Sequence, residues 1–279
     1  MRLPAWPRPA TGSTPGCGWI ESACSASVTA WLVTTVEVLA SLAVLAVAAF
    51  AQGVFGLGFA MIATPLLALF LDYRTAVFLA AVPLLVLAGN WLMTNRRALR
   101  HSGVPWSLLP GIVVGAAAGV WLQVALPERL SLLLLASLLA FSVALPWGLH
   151  HFRADVSAAS RRAAPVLGTL AGVTESALNV GAPFMVLFGG LARLTRHQQL
   201  IALNLCFFAG KAIQVSLLST APWPVAPLPL VLGVSISLLL YGIGDRLAGR
   251  YPDAVFRRLL RVFLGFMAVS LVVRAAFHA

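Results

Sequence analysis

The chain has 279 residues, of which 60% are hydrophobic and only 10% charged, with a net charge of +11 and a mean hydropathy of +0.94. No soluble globular domain of this size holds that composition in water, so lipid must be the solvent for most of the chain. Nucleic acid is excluded as the reason for the basic charge, because the arginines lie in short connections between apolar runs and form no continuous basic face.

Residues 1–27 are rich in Pro, Gly and Ser and lack the charged-then-apolar layout of a cleavable signal, so residues 1–30 are expected to be a disordered tail. The first apolar run, 38–71, contains no Asp, Glu, Lys or Arg. As one straight helix it would be about 50 Å long against a hydrocarbon core of about 30 Å, so it must break. The break is expected within Gly53-Val54-Phe55-Gly56-Leu57-Gly58, where three glycines lower helix propensity and free backbone groups to bind something. Further uncharged runs cover 76–95, 102–127, 130–149 and 212–244. Continuous Leu/Ala/Val runs read as helices, whereas the strands of a membrane barrel would alternate over about ten residues. Ten helical pieces result: 31–51, 56–71, 75–94, 106–125, 130–149, 164–178, 181–193, 198–219, 225–243 and 255–276.

The second half repeats features of the first. Gln52-x-x-x-Gly56-x-Gly58 aligns with Glu175-x-x-x-Asn179-x-Gly181 at an offset of 123, and Ala88-Gly89-Asn90 aligns with Ala209-Gly210-Lys211 at an offset of 121. In the latter register Pro83 falls opposite Asn204, and Pro110 before Gly115 resembles Pro229 before Gly233. Five pieces per half force the second half to insert upside down relative to the first. The expected fold is therefore an all-α polytopic membrane protein of two inverted-topology repeats, with broken or re-entrant helices at Gly53–Gly58 and Asn179–Gly181. Its divisions are 31–149 for the first repeat, 150–163 for a cytoplasmic linker and 164–279 for the second repeat.

Arginine placement tests this count independently. Connections after the third, fifth, seventh and ninth pieces hold thirteen: Arg96, Arg97 and Arg100; Arg153, Arg161 and Arg162; Arg193 and Arg196; Arg246, Arg250, Arg257, Arg258 and Arg261. The other face, tails included, has five: Arg2, Arg8, Arg74, Arg129 and Arg274. The positive-inside rule then puts both termini on the non-cytoplasmic side of the inner membrane.

Two charges stand inside apolar helices. Lys211 is the only lysine, and Glu175 is the only acid between 163 and 192. An ammonium at that depth needs an anion, a carboxylate or water, so Lys211 reads either as a substrate-anion ligand or as the structural partner of Glu175. Glu175 needs a buried partner or a proton; it reads either as structural or as a group that takes and releases protons on alternate sides. The amides Gln52, Asn90, Asn179 and Asn204 read as pocket lining or interhelical hydrogen bonds, with Gln214, one turn beyond Lys211, a weaker candidate. Gly56, Gly58 and Gly181 could aim backbone N–H groups at a small oxyanion, or could serve close packing.

Three cysteines, Cys17, Cys24 and Cys206, are too scattered for a disulfide framework, a redox pair or a zinc site, and no cofactor is expected. All five histidines fall in connections or tails and no nucleophile–base pair stands out, which disfavours an enzyme. A phosphate-binding loop is absent too, so transport must draw on an ion gradient or the substrate's own.

Ala51-Gln52-Gly53-Val54-Phe55-Gly56-Leu57-Gly58 followed by Pro65, repeated degenerately as Thr174-Glu175-Ser176-Ala177-Leu178-Asn179-Val180-Gly181 followed by Pro183, resembles the TauE/SafE family of sulfite exporters, also called the four-toluene-sulfonate uptake permeases. The resemblance extends from about residue 36 to the C-terminus, with Asn179 standing where the first copy has a glycine. It implies movement of sulfite, sulfonates or related organic anions across the cytoplasmic membrane, coupled to the proton gradient. The residues themselves lead to an anion site but not to sulfur. The expected partners are a small anion, protons and the lipid bilayer, with a homodimer left open. A passive anion channel and a non-transporting accessory protein are the alternatives.

Overall fold

A computed structural model describes residues 19–100, 103–104, 106–149, 156–218, 227–248, 250 and 253–277; residues 1–18 of the expected tail and 150–155 of the expected linker lie outside them. The described residues form eleven helices and no strand: α1 (Trp19–Phe55), α2 (Phe59–Leu67), α3 (Tyr73–Thr94), α4 (Arg96–Arg100), α5 (Leu108–Ala125), α6 (Glu128–Leu149), α7 (Val156–Leu178), α8 (Ala182–Leu191), α9 (Arg196–Leu218), α10 (Pro227–Arg246) and α11 (Asp253–Phe277). The chain divides into two compact units. The described part of the first, residues 1–38, is the opening of α1; residues 39–279 make the second.

Thr35–Phe55 of α1, the whole of α3, α5, α9 and α10, and Arg258–Phe277 of α11 are each long and apolar enough to cross a bilayer. The protein is thus a multi-pass, all-helical membrane protein. By contrast α2, with nine residues, and α8, with ten, are about 14 and 15 Å long, half a hydrocarbon core. They are the short arms beyond the two breaks. The larger differences from expectation are that α1 begins at Trp19 rather than near 31, that α7 begins at Val156 rather than 164, and that the short helix α4 follows α3.

The first break is also narrower than Gly53–Gly58. Helix α1 runs through Gly53 to Phe55, and the chain turns only at Gly56 (φ 76°) and Gly58 (φ 118°). Gly53 does different work: a Cβ there would collide with the Tyr241 carbonyl and meet the backbone of Gly244 and Asp245, so it lets α1 lie against α10.

Helices α5 and α7 lie in close contact along their length. Gly111, Gly115 and Gly119 on α5 face the carbonyls of Pro165, Thr169 and Val173, while Gly168 and Gly172 on α7 face those of Leu108 and Ile112. Glycines at four-residue spacing on one helix face bring two backbones into contact, which in lipid replaces the missing hydrophobic drive with van der Waals packing. The constant register shows that α5 and α7 run parallel. Helices α1 and α10 do likewise, since Gly53 meets Tyr241 and Leu45 meets Gly233.

Several other neighbours across the halves come in matched sets. Contacts α5–α9 and α3–α10 correspond on exchanging the halves, as do α6–α8 and α2–α11, while α3–α9 and α6–α11 map onto themselves. Helices α6 and α11 are antiparallel: Arg274 near the end of α11 lies 3.5 Å from Glu128 at the start of α6. The same Arg274 donates to the Leu71 carbonyl (3.0 Å), Glu128 accepts from the Tyr73 amide (3.1 Å), and Arg74 donates to the Val124 carbonyl (2.9 Å). The turn between α2 and α3, whose Asp72 caps α3 through the Thr75 amide, is thereby fastened to α5, α6 and α11 at one membrane face.

Candidate functional site

Helix α7 ends in a turn that no ordinary side chain favours. Asn179 follows its last residue at φ 58°, in the left-handed region that asparagine tolerates better than any residue except glycine. Its amide still bonds the Glu175 carbonyl (3.1 Å), and the Val180 amide reaches Thr174 (3.2 Å). Gly181 then caps α8, with Pro183 in the first turn, where a missing N–H costs nothing.

Into this break projects Lys211 from α9. It is completely buried, as are Glu175, Asn179 and Gln214. An ammonium has three N–H donors, and all three are used: on the Glu175 carbonyl (2.5 Å), Asn179 Oδ1 (2.5 Å) and Gln214 Oε1 (2.9 Å). Glu175 Oε1 lies 3.0 Å from Nζ yet takes no directed hydrogen bond from any described residue, so its attraction to Lys211 is coulombic. The other oxygen, Oε2, accepts from the Gly181 amide at the start of α8 (2.8 Å).

A second ring of neutral groups holds these in place. Asn179 Nδ2 donates to Thr64 Oγ1 on α2 (3.0 Å) and to the Val77 carbonyl on α3 (2.9 Å). Gln214 Nε2 donates to Gln123 Oε1 on α5 (2.9 Å) and to the Ser176 carbonyl (2.7 Å). Tyr73 sends its hydroxyl to the Ala177 carbonyl (2.7 Å), joining the site to the α2–α3 turn. Glycines 181 and 210 clear room for the carboxylate: a Cβ on Gly181 would stand 2.8 Å from Glu175 Cβ, and one on Gly210 3.0 Å from its Cγ.

Of the residues singled out from sequence, Lys211, Glu175, Asn179, Gly181 and the weaker candidate Gln214 therefore meet. Gln52, Gly56 and Gly58 build a separate junction: Gln52 donates to the Gly56 carbonyl (3.3 Å) and accepts from the Phe59 amide (3.1 Å), bridging α1 to α2. Gly56 sits against Leu200, near the start of α9, and about 16 Å of helix axis separates Leu200 from Lys211. The two breaks thus lie at different levels along α9. Asn90 is exposed near the end of α3, and Asn204 donates to the Leu200 carbonyl of its own helix (2.9 Å). Gln123, Thr64 and Tyr73 went unnoticed in the sequence, and Gly210 was noted only as part of the repeat; a neutral polar residue or a glycine in an apolar helix shows its partner only once the helices are packed.

The model of the sulfite exporter TauE/SafE family matches residues 41–271, which take in both breaks, Glu175 and Lys211. The chain belongs to this family. No curated protein and no solved structure matched significantly. TauE/SafE proteins are membrane transporters of the exporter type, not enzymes. In this TauE/SafE chain the Glu175 carboxylate occupies a position with the two attributes of an oxyanion seat. One oxygen faces a buried ammonium; the other faces a backbone N–H at the positive end of a helix.

Proposed function

We propose that the chain is a secondary transporter that carries small oxyanions, sulfite or sulfonates, together with a proton across the cytoplasmic membrane. The observation that supports this most directly is the Lys211–Glu175 pair, fully buried beside the N-terminus of α8. As it stands the pair is neutral. An anion added to it would leave one uncompensated negative charge in low dielectric, which is costly. Protonating Glu175 restores neutrality and removes its coulombic hold on Lys211, and as the neutral carboxyl swings aside it vacates the place between the ammonium and the Gly181 amide for the anion. Anion and proton then bind together or leave together.

The two halves support an inverted repeat. Gln52 and Glu175 each receive a backbone N–H from the start of the short helix across their own break, and Gly56 and Asn179, in the same register, both have positive φ. Several neighbours match on exchange of the halves. Rocking one half against the other would open the pair first to one face, then to the other. With the arginine-rich face in the cytoplasm, both termini lie outside it.

The experiment is flux of labelled sulfite and several sulfonates in proteoliposomes, with and without an imposed pH gradient. Expected is saturable flux of at least one of them, driven by the proton gradient. A Lys211→Met/Glu175→Gln double variant, which removes both charges without stranding either, should insert and melt near wild type yet carry nothing. Non-saturating flux that follows voltage alone would make the protein a channel. Undiminished flux in the double variant would remove the proposed site.

A further inference from the structure

We propose that the groove between α6 and α11 at the arginine-rich start of α11 binds an anionic phospholipid. The groove is an open hollow of about 620 Å³, lined by Ala140, Val143 and Ala144 of α6 and by Arg258, Arg261 and Val262 of α11. Two features in one hollow define its ligand: a pair of guanidiniums and an aliphatic floor.

Depth places it at the headgroup level. Arg274 marks one membrane face, where it meets Glu128 and the α2–α3 turn. Arg258 lies sixteen residues earlier on the same helix, about 24 Å along the axis, close to a hydrocarbon core of about 30 Å. The Arg258–Arg261 pair therefore stands near the opposite interface, on the side that carries thirteen of the chain's arginines. Basic pockets between transmembrane helices on that side are where anionic headgroups bind. At three-residue spacing the two arginines share a helix face, and guanidiniums match phosphate oxygens in pairs.

The rest of the hollow suits a hydrocarbon tail. Ala140 and Ala144, one turn apart, make the concavity by being small. Alongside, Leu259 and Phe266 are 64% and 66% exposed, so the groove opens sideways into lipid and not into an aqueous mouth. A free phosphate or sulfite would use only the two arginines; an anionic lipid uses the arginines and the floor. This site is independent of the transport pathway proposed above.

The test titrates the purified full-length chain in detergent with phosphatidylglycerol, phosphatidylcholine or inorganic phosphate, reading retained lipid by native mass spectrometry and the melting temperature. Phosphatidylglycerol should be retained and raise the melting temperature; the other two should do neither. Arg258→Gln/Arg261→Gln should weaken phosphatidylglycerol binding about thirtyfold. Ala140→Leu/Ala144→Leu, which fills the floor, should weaken it as well, whereas Arg246→Gln, on the same face outside the groove, should not. Equal retention of phosphatidylcholine, displacement of the lipid by inorganic phosphate, or unchanged binding in the arginine double variant would each overturn the proposal. A lipid-independent dimer that closes the groove would do so too.

Discussion

A charge buried in lipid must be answered by its neighbours, and the neighbours of Lys211 and Glu175 are what separate a transport site from a structural bridge. Removing one partner of a buried pair strands the other, at about 3–5 kcal/mol, so Lys211→Ala should lower the melting temperature much more than the neutral double variant does. Glu175→Gln keeps the shape but cannot take up a proton. Flux in that variant should stop responding to an imposed pH gradient, and an undiminished pH response would clear Glu175 of the coupling role. Asn179→Gly suits the left-handed turn while deleting the acceptor for Lys211 and the donor to Thr64 and Val77. Its flux should fall at least as far as that of Asn179→Val, even though the valine must also bear about 1–2 kcal/mol of backbone strain. Lys211 and Glu175 were legible because each is a lone charge in an apolar run, and Asn179 because of its register with Gly56. Asn90 shows the limit of that register: it aligns with Lys211, yet its position on α3 is exposed. Gln123 and Gln214 bond each other from helices 91 residues apart in sequence, and no local spacing announces such a pair.

At the scale of helices, the glycine face between α5 and α7 is a surface with no room for a side chain. Gly115→Leu would drive a side chain against the Thr169 carbonyl, and because backbone cannot swing aside the helices would have to separate. Overpacking typically costs about 1–3 kcal/mol, and the melting temperature of Gly115→Leu should fall well below that of Gly242→Ala or Gly265→Ala, whose added Cβ would meet nothing within 4 Å. Equal melting of the three would mean that close approach of α5 and α7 is not needed. The helices themselves were largely legible, since each uncharged run has a length that a bilayer dictates. Gly53 was misassigned to the break for a physical reason: glycine serves both a turn and a close crossing, and only the position of Tyr241 and Gly244 tells them apart.

Across the whole molecule, two breaks separated along α9 suit a carrier that closes one face while opening the other. Sidedness can be read first: single cysteines at Arg97 and Arg129 should react with an impermeant thiol reagent from opposite sides of the membrane, with position 97 on the cytoplasmic side. The central claim is that water and anions reach the buried Lys211–Glu175 pair during turnover. A native reporter stands ready in Cys206, buried on α9 one turn before Gly210 and within electrostatic range of both Lys211 and Glu175. With Cys17 and Cys24 replaced by serine, the rate at which a negatively charged methanethiosulfonate modifies Cys206 in proteoliposomes measures that access. Modification within the time of turnover, slowed by a transported sulfonate, is the expected result; a thiol that stays unreacted from both sides while flux continues would contradict it.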